Sequence, residues 1–294
     1  MAISADQVKN LRARTGAGMM ECKKALQEAE GDIEAAVDVM RRRGLAKADK
    51  KADRVAAEGV IVARVAEDGK QGVLLEVNAE TDFVAGNEDF LGFARRVADI
   101  VLEQAPSDTD ALMGLAYEDA GGDDVQTAQK ALVGRIGENV QIRRFERYTS
   151  DGVVATYLHG SRIGVMIELD GDDATLARDL AMHVAASEPI CVSKDEVDNE
   201  TLERERKVLV EQAQDSGKSD EIIQKMVEGR LNKWLAEVTL LGQPFVKDPD
   251  QTVDELLQSK GAGVNRFTRF AVGEGKEKKE ENFAEEVAAQ VKGS

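Results

Sequence analysis

Two histidines and two cysteines are the side chains of this 294-residue chain best suited to acid–base, nucleophilic or metal-binding chemistry. His159 directly precedes Gly160 at the expected end of a strand, where it could act as a general acid or base. His183 lies in an apolar helical stretch, so a hydrogen-bonded structural histidine is the favoured interpretation. Cys22 and Cys191 offer no zinc-type spacing and no disulfide framework, which fits a reducing compartment.

Catalytic sequence motifs are missing from the chain. It contains no G-x-S-x-G, H-E-x-x-H or Walker-type G-x-x-x-x-G-K-[ST] sequence. The segment from Thr15 to Gly18 resembles a phosphate-binding loop, but it follows a predicted helix and lacks the required lysine, so we predict an interhelical turn. Its many carboxylates form no clear catalytic pair. We therefore expect a protein that is not an enzyme and that uses no cofactor and no metal. An enzyme acting through His159 is the alternative.

The segment Thr81-Asp82-Phe83-Val84 carries a different kind of chemistry, the binding of another protein. In one interpretation Phe83 or Val84 folds back onto Phe90 or the sheet as a helix-entry staple. In the other, Phe83 is an aromatic anchor that fills a partner's pocket. Local pattern alone does not separate the two interpretations.

Arg12, Met19 and Met20 form a second candidate contact surface, because an exposed methionine beside an arginine makes an adaptable patch. Position alone favours the alternative, in which Met20 belongs to the core and Met19 is an ordinary surface residue.

Residues 1–54 are predicted to form a bundle of three short helices. Ser4 and Gln7 have capping-box spacing at the start of the first helix, and a second helix begins near Met19. A third helix follows an N-cap at Asp32 and ends at Gly44, before a basic helical linker.

The next part of the chain contains an internal repeat. The segment Gly72 to Val77 (GVLLEV) is echoed by Gly164 to Leu169 (GVMIEL), and the helices that follow also match. We predict two related α+β subdomains, residues 55–148 and residues 149–194 with 242–273, each a three-stranded antiparallel sheet with helices on one face.

The two copies differ in one informative place. Val77 and Phe93 are 16 positions apart, whereas the equivalent Leu169 and Leu176 are 7 apart. The additional residues contain Phe83, and a segment present in only one copy is not needed to build the fold. This difference favours partner binding by Phe83.

Residues 195–241 are predicted to form an inserted antiparallel helical hairpin. A helical stripe that includes Trp234 is either the seam of this hairpin or a face for self-association. A charged linker then leads to a C-terminal module, residues 274–294, with a short helix near 282–291.

The formal net charge of −17 makes free nucleic acid a poor partner, because the chain repels phosphate backbones. The basic segment 41–54 could touch RNA, but Asp49 and Asp53 interrupt it, so a solvated helix is favoured. The chain lacks a signal-peptide pattern and an apolar run of about 20 residues, so a soluble cytoplasmic protein is expected, with no membrane partner.

Several long motifs, in order along the chain, resemble the elongation factor Ts family. They are Leu11 to Leu26 (LRARTGAGMMECKKAL), Glu76 to Val84 (EVNAETDFV), His159-Gly160 with Arg162 to Val165 (RIGV), and Gly242 to Val246 (GQPFV). The resemblance implies a ubiquitin-associated-like N-terminal domain, a core of two subdomains, a coiled-coil hairpin and a C-terminal helix.

The resemblance also implies a partner, elongation factor Tu in its GDP-bound and nucleotide-free forms. By this resemblance Thr81, Asp82, Phe83 and Val84 form a loop that wedges into the GTPase domain and disturbs the magnesium and phosphate site. Arg12, Met19, Met20 and the C-terminal helix would contact the same domain. His159 and Gly160 would face a different domain. A general protein-binding adaptor acting through the N-terminal helices is the alternative function.

Overall fold

The computed structural model describes residues 3–118, 123–214 and 219–276. Its first three helices form a bundle around an apolar centre that contains Leu11, Cys22 and Leu26. Ser4 and Gln7 form the predicted capping box, and Gly16 ends the first helix with a left-handed φ of 67°. The helices are α1 (Ala5–Thr15), α2 (Met19–Glu28) and α3 (Ile33–Asp49).

Two expectations for this bundle were wrong. Met20 is 65% exposed, because the buried stripe of α2 runs through Cys22, Ala25 and Leu26 and Met20 lies on the opposite face. The third helix does not end at Gly44 but continues to Asp49, so the predicted boundary was wrong although the following segment is helical, as expected, as far as Asp49. Gly44 is not a C-cap but lies inside the helix, where it faces Gly134 in the helix of residues 125–136.

The first sheet is a three-stranded antiparallel sheet, as predicted, and its strand order is β1-β2-β3. Alternate strand residues such as Val60 and Val62 face α5 because strand side chains alternate between the two faces. The strands are β1 (Glu58–Val65), β2 (Gln71–Ala79) and β3 (Val140–Thr149). The helices are α4 (Asp82–Ala85), α5 (Glu88–Gln104), α6 (Thr109–Met113) and α7 (Val125–Ile136).

The second sheet repeats the first, with the order β4-β5-β8. Both central strands carry a register shift at the same place, after Glu76 in β2 and after Glu168 in β5. The predicted duplication is therefore present in the strand pairing. The strands are β4 (Val153–His159), β5 (Ile163–Leu169) and β8 (Val264–Ala271). Its helices are α8 (Ala174–Ser187) and α11 (Val253–Lys260), and a small ribbon joins β6 (Pro244–Phe245) to β7 (Asp248–Thr252).

The two sheets pack face to face, an arrangement that the sequence did not predict. Ile61 and Leu74 of the first sheet share a buried cluster with Val154 and Met166 of the second. Helices therefore cover only the outer face of each sheet, and the described core has the layer order helix, sheet, sheet, helix.

The insertion forms the predicted hairpin of α9 (Asn199–Gln214) and α10 (Asp220–Val238). Leu209, Val227 and Leu231 are buried in its seam, with Trp234 packed against them. Trp234 thus contributes to the hairpin's own seam, and self-association through the hairpin stays a prediction. The turn residues 215–218 lie outside the described part of the chain.

The end of β8 folds back onto the first sheet. The backbone N–H of Gly273 donates to Oε1 of Glu76 at 3.0 Å, and Nζ of Lys276 donates to the carbonyl of Ala56 at 2.7 Å. The predicted helix near 282–291, and most of the predicted C-terminal module 274–294, lie outside the described residues. Every helix within 3–118, 123–214 and 219–276 is too short or too polar to cross a bilayer.

Candidate functional site

The predicted partner-binding segment forms a single helical turn, α4, between β2 and α5. Phe83 is 88% exposed, the highest exposure among the large apolar side chains of the described residues, whereas its neighbour Val84 is 8% exposed. Val84 packs into the core cluster that contains Phe90. Val84 therefore folds inward as the staple interpretation expects, whereas Phe83 points outward, and the binding of a partner by Phe83 stays a prediction. Asp82 is exposed beside Phe83.

Glu138 holds the start of this turn. Its Oε2 accepts the backbone N–H of Thr81 at 3.0 Å, and its Oε1 accepts the Thr81 hydroxyl at 2.8 Å. Glu138 follows Gly137, which ends α7 with a left-handed φ of 88°. Sequence reasoning missed Glu138 because its partner lies 57 positions away and no local pattern marks a contact at that separation.

The other end of the turn is fixed by Asn87. Its backbone N–H donates to the carbonyl of Val84 at 2.9 Å, and its side chain caps α5 by accepting from the N–H groups of Asp89 and Phe90. Because both ends and the Val84 face are held, Phe83 is displayed on a firmly attached support and not on a free loop.

Glu80, which directly precedes Thr81, adds another attachment for the turn. Oε1 of Glu80 accepts the backbone N–H of Asn139 at 2.6 Å, and the Asn139 side chain donates to the carbonyls of Ala52 and Arg54. The base of α4 is therefore tied both to the start of β3 and to the end of the basic segment 41–54.

The second candidate surface is exposed on the N-terminal bundle. Arg12, Met19 and Met20 are all exposed, with Met19 at 55% and Met20 at 65%. The turn before Met19 lies close to Arg135 of α7, because a Cβ on Gly16 would sit 3.1 Å from Cδ of Arg135. Arg135 also pairs with Asp89 in the first turn of α5 at 3.5 Å. One side chain thus connects the bundle to the helix that follows α4.

His159 is the last residue of β4, and Gly160 begins the turn between β4 and β5. Gly160 has a φ of 62°, which suits glycine, and Nδ1 of His159 is 3.4 Å from the Tyr157 hydroxyl. The turn reaches the first sheet through Arg162, which pairs with Glu58 at 2.6 Å. Glu58 is paired with Ala79, two residues before Thr81, so this turn approaches the same end of the first sheet as α4.

His183 has a structural role, as predicted. It is fully buried, accepts the backbone N–H of Val246 at Nδ1 (3.1 Å) and places Nε2 2.9 Å from Oε1 of Gln243. This pattern requires the proton on Nε2, which donates to Gln243. Burial lowers the pKa of His183, and the Gln243 contact opposes that shift only in part. A neutral, fully hydrogen-bonded imidazole results.

The segment from Thr15 to Gly18 is the predicted interhelical turn, with Gly16 as the C-cap of α1 and Gly18 as the N-cap of α2. Across the ranges that the structure describes, no group of three or more His, Cys, Asp or Glu side chains is arranged to hold a metal ion.

Comparison with known proteins gives a consistent result. Residues 80–274 match the family model described as Elongation factor TS. The chain is 64% identical over 295 aligned positions to elongation factor Ts of Alkalilimnicola ehrlichii, with both chains fully covered. It is 59% identical to elongation factor Ts of Halorhodospira halophila and 56% identical to that of Thioalkalivibrio sulfidiphilus, again over the full length of each chain.

Proposed function

The chain belongs to the elongation factor Ts family of translation elongation factors, and from this premise we propose that it binds elongation factor Tu carrying GDP and promotes release of the nucleotide. The observation that carries the proposal is Phe83, a large aromatic side chain that is 88% exposed on an anchored helical turn. Exposing such a ring to water is unfavourable, so a partner that buries it gains free energy.

In this proposal Phe83 enters an apolar slot of the GTPase domain. Asp82 beside it helps to displace the elements of the partner that bind magnesium and phosphate. Thr81 and Val84 hold the turn against its own protein, through Glu138 and the apolar core respectively. A turn anchored in this way keeps its position when Phe83 contacts the partner, so the partner's elements move and α4 does not.

The expected target is the magnesium and phosphate site of the partner. Tight GDP binding by a GTPase depends on the metal ion and on backbone donors around the phosphates. A small shift of those elements weakens several charge-assisted contacts together. By thermodynamic linkage, a factor that prefers the nucleotide-free form must weaken GDP binding in the same proportion.

The remaining candidates supply binding area in this proposal. Arg12, Met19 and Met20 contact the GTPase domain, and the exposed methionines suit an adaptable interface. His159 and Gly160 face a different domain of the partner. The protein acts by binding, in the cytoplasm where translation takes place, and needs no catalytic acid, base, metal or cofactor of its own.

The Phe83→Ala variant tests the proposal. We expect the fold to be unchanged and the release of fluorescent GDP from elongation factor Tu to slow by about tenfold or more, if the anchor contributes about 2 kcal/mol. Stopped-flow fluorescence with purified proteins measures the rate.

Val65→Ala is the matched control, because Val65 is also an exposed apolar residue but lies at the end of β1 remote from α4. It should leave the release rate unchanged. An unchanged rate in Phe83→Ala, or an equal loss in both variants, would reject the role of Phe83.

A further inference from the structure

A cavity of about 570 Å³ lies between the N-terminal bundle and α7, and Phe83 does not line it. The walls come from the end of α1, from α2, from α3 and from α7. Its volume falls within the range of about 300–1,000 Å³ that is usual for small-molecule sites.

Most of the charged side chains that line this cavity are cationic. Six of its side chains are cationic and one, Glu21, is acidic. The cationic residues are Arg14, Lys24, Arg41, Arg43, Lys47 and Arg135. This is opposite to the net charge of −17 of the whole chain, so the overall composition does not account for it.

Most of these cations are held by exposed carboxylates. Arg14 pairs with Glu34 at 2.6 Å, and both side chains are at least 43% exposed. The other four pairs are Arg41 with Asp123, Arg43 with Glu28, Lys47 with Glu21, and Arg135 with Asp89. Exposed pairs of this kind contribute little to stability, so an incoming anion can compete with the carboxylates for these cations.

Lys24 differs from the other five. Within the described ranges no carboxylate lies within ion-pair distance of its ammonium group, although it lines the cavity. It is therefore the cation most available to a ligand.

The cavity also has an apolar floor and a fixed frame. Val37 and Met40 of α3 and Ala131 of α7 line it between the cations. The two helices are held together where Gly134 meets Gly44, since a Cβ on Gly134 would sit only 2.8 Å from Cα of Gly44. The space is thus preformed and does not require the helices to move.

We propose that this cavity binds a small anion with two or three linked phosphate groups. Arginine side chains fit phosphate oxygens with paired hydrogen bonds, and cations on four helices suit an anion of multiple charge. The size of the cavity and the acidic surroundings disfavour a long nucleic-acid backbone. The ligand would bridge the bundle to the core, a role separate from the binding of the GTPase.

Isothermal titration calorimetry on the full chain alone, at low salt, tests the proposal. Inorganic tripolyphosphate should bind at one site and more weakly as salt is raised. Adenosine diphosphate is the second probe. Tighter binding of the diphosphate assigns the site to nucleotides, and tighter binding of tripolyphosphate assigns it to free polyphosphate. The absence of saturable binding by both probes would overturn the proposal.

Two neighbouring lysines provide the matched variants. Lys24→Gln should weaken binding about tenfold or more, since it removes a charge-assisted contact. Lys23→Gln removes the same charge from a residue outside the cavity and should change affinity less than about twofold. Equal losses in the two variants would mean non-specific ionic attraction and would overturn the assignment.

Ala131→Phe gives an independent check, because Ala131 is an exposed residue of α7 that lines the cavity and carries no charge. Filling the space should also weaken binding while circular dichroism shows an intact fold. Since the GTPase is absent from these titrations, their failure would leave the proposed exchange function untouched.

Discussion

Phe83 and Val84 are adjacent on one helical turn but have opposite environments. Successive residues of a helix point about 100° apart, so a turn packed through Val84 directs Phe83 away from the core. The burial of Val84 and the Glu138 contact to Thr81 keep that direction fixed. Burying a phenylalanine side chain contributes about 2–3 kcal/mol. Because Phe83 is exposed in the fold, this free energy can stabilise a complex with a partner instead.

Glu76 is the residue on which the two sheets and the end of β8 converge. Its buried carboxylate accepts from Arg143 at 2.9 Å, Arg144 at 2.7 Å and the backbone of Gly273 at 3.0 Å, and Asn78 donates as well. Burial alone would raise the pKa of Glu76, but these hydrogen bonds together outweigh it and lower the pKa below its usual 4.5.

We expect Glu76→Gln to lower the free energy of unfolding by about 3 kcal/mol at pH 7, because it leaves two arginines poorly paired. A carboxylate whose pKa is lowered in the folded state stabilises the fold at pH values above its pKa in the unfolded state. This contribution is lost as the pH falls through the pKa of the folded state. The difference between the variant and the parent should therefore shrink below about pH 4.5. Urea unfolding followed by circular dichroism at several pH values measures both effects.

Glu274→Gln is the control for this prediction, since Glu274 also pairs with Arg144, at 3.2 Å, but is 49% exposed. Its effect should stay below about 1 kcal/mol. A Glu76→Gln variant as stable as the parent would contradict the role assigned to the buried carboxylate.

At the scale of elements, the crossing of α3 and α7 attaches the N-terminal bundle to the core. The contact is close because both helices carry glycine there, Gly44 and Gly134. The same two helices line the cavity with its cationic side chains, and Arg135 of α7 forms an ion pair with the first turn of α5. This helix pair therefore contributes to fixing the position of Met19 and Met20 relative to α4.

Substituting alanine at each of these glycines should give opposite results. Gly134→Ala places a Cβ 2.8 Å from the backbone of α3 and should destabilise the attachment by about 1–3 kcal/mol. Gly44→Ala has its nearest neighbour at 3.9 Å and should be neutral or stabilising by up to about 1 kcal/mol, because alanine favours helix. Native-state proteolysis in the 41–54 segment, followed over time, reports detachment of the bundle.

Faster cleavage only in Gly134→Ala is the expected result. Equal cleavage of both variants and the parent would show that the close glycine contact is not what holds the bundle.

At the scale of the whole molecule, the two sheets are pressed together through their central strands. Gly72 of β2 and the equivalent Gly164 of β5 lie at this contact. A Cβ on Gly72 would be 2.6 Å from Cγ1 of Val154, and one on Gly164 would be 2.5 Å from Cγ2 of Ile61. The repeat thus supplies a glycine from each copy to the same interface between the two sheets.

Gly72→Ala and Gly164→Ala should each lower the free energy of unfolding by about 1–3 kcal/mol, because the added methyl group overpacks the space between the sheets. Gly92→Ala is the control. It lies on α5 with nothing within 4 Å of its Cβ position, so it should be neutral or slightly stabilising. Urea denaturation measures all three. A loss in Gly92→Ala as large as in the other two would mean that glycine replacement in general, and not the sheet contact, is responsible.

The sequence by itself determined the helical N-terminal region, the antiparallel strands of the two sheets, the duplication and the inserted hairpin. These depend on periodicity along the chain and on turn residues, which local physics decides. It also singled out Phe83, because the comparison of the two copies marks the segment as additional.

Only the tertiary structure decided which side chains face outward and what lies against each surface. Four features depend on residues that lie tens of positions apart in the sequence. They are the exposure of Met20, the hydrogen bonds from Thr81 to Glu138, the packing of the two sheets, and the cavity lined by cationic side chains. Local pattern predicts that a face is apolar but not what covers it, because the free energy of burial depends on partners that only the folded chain brings together.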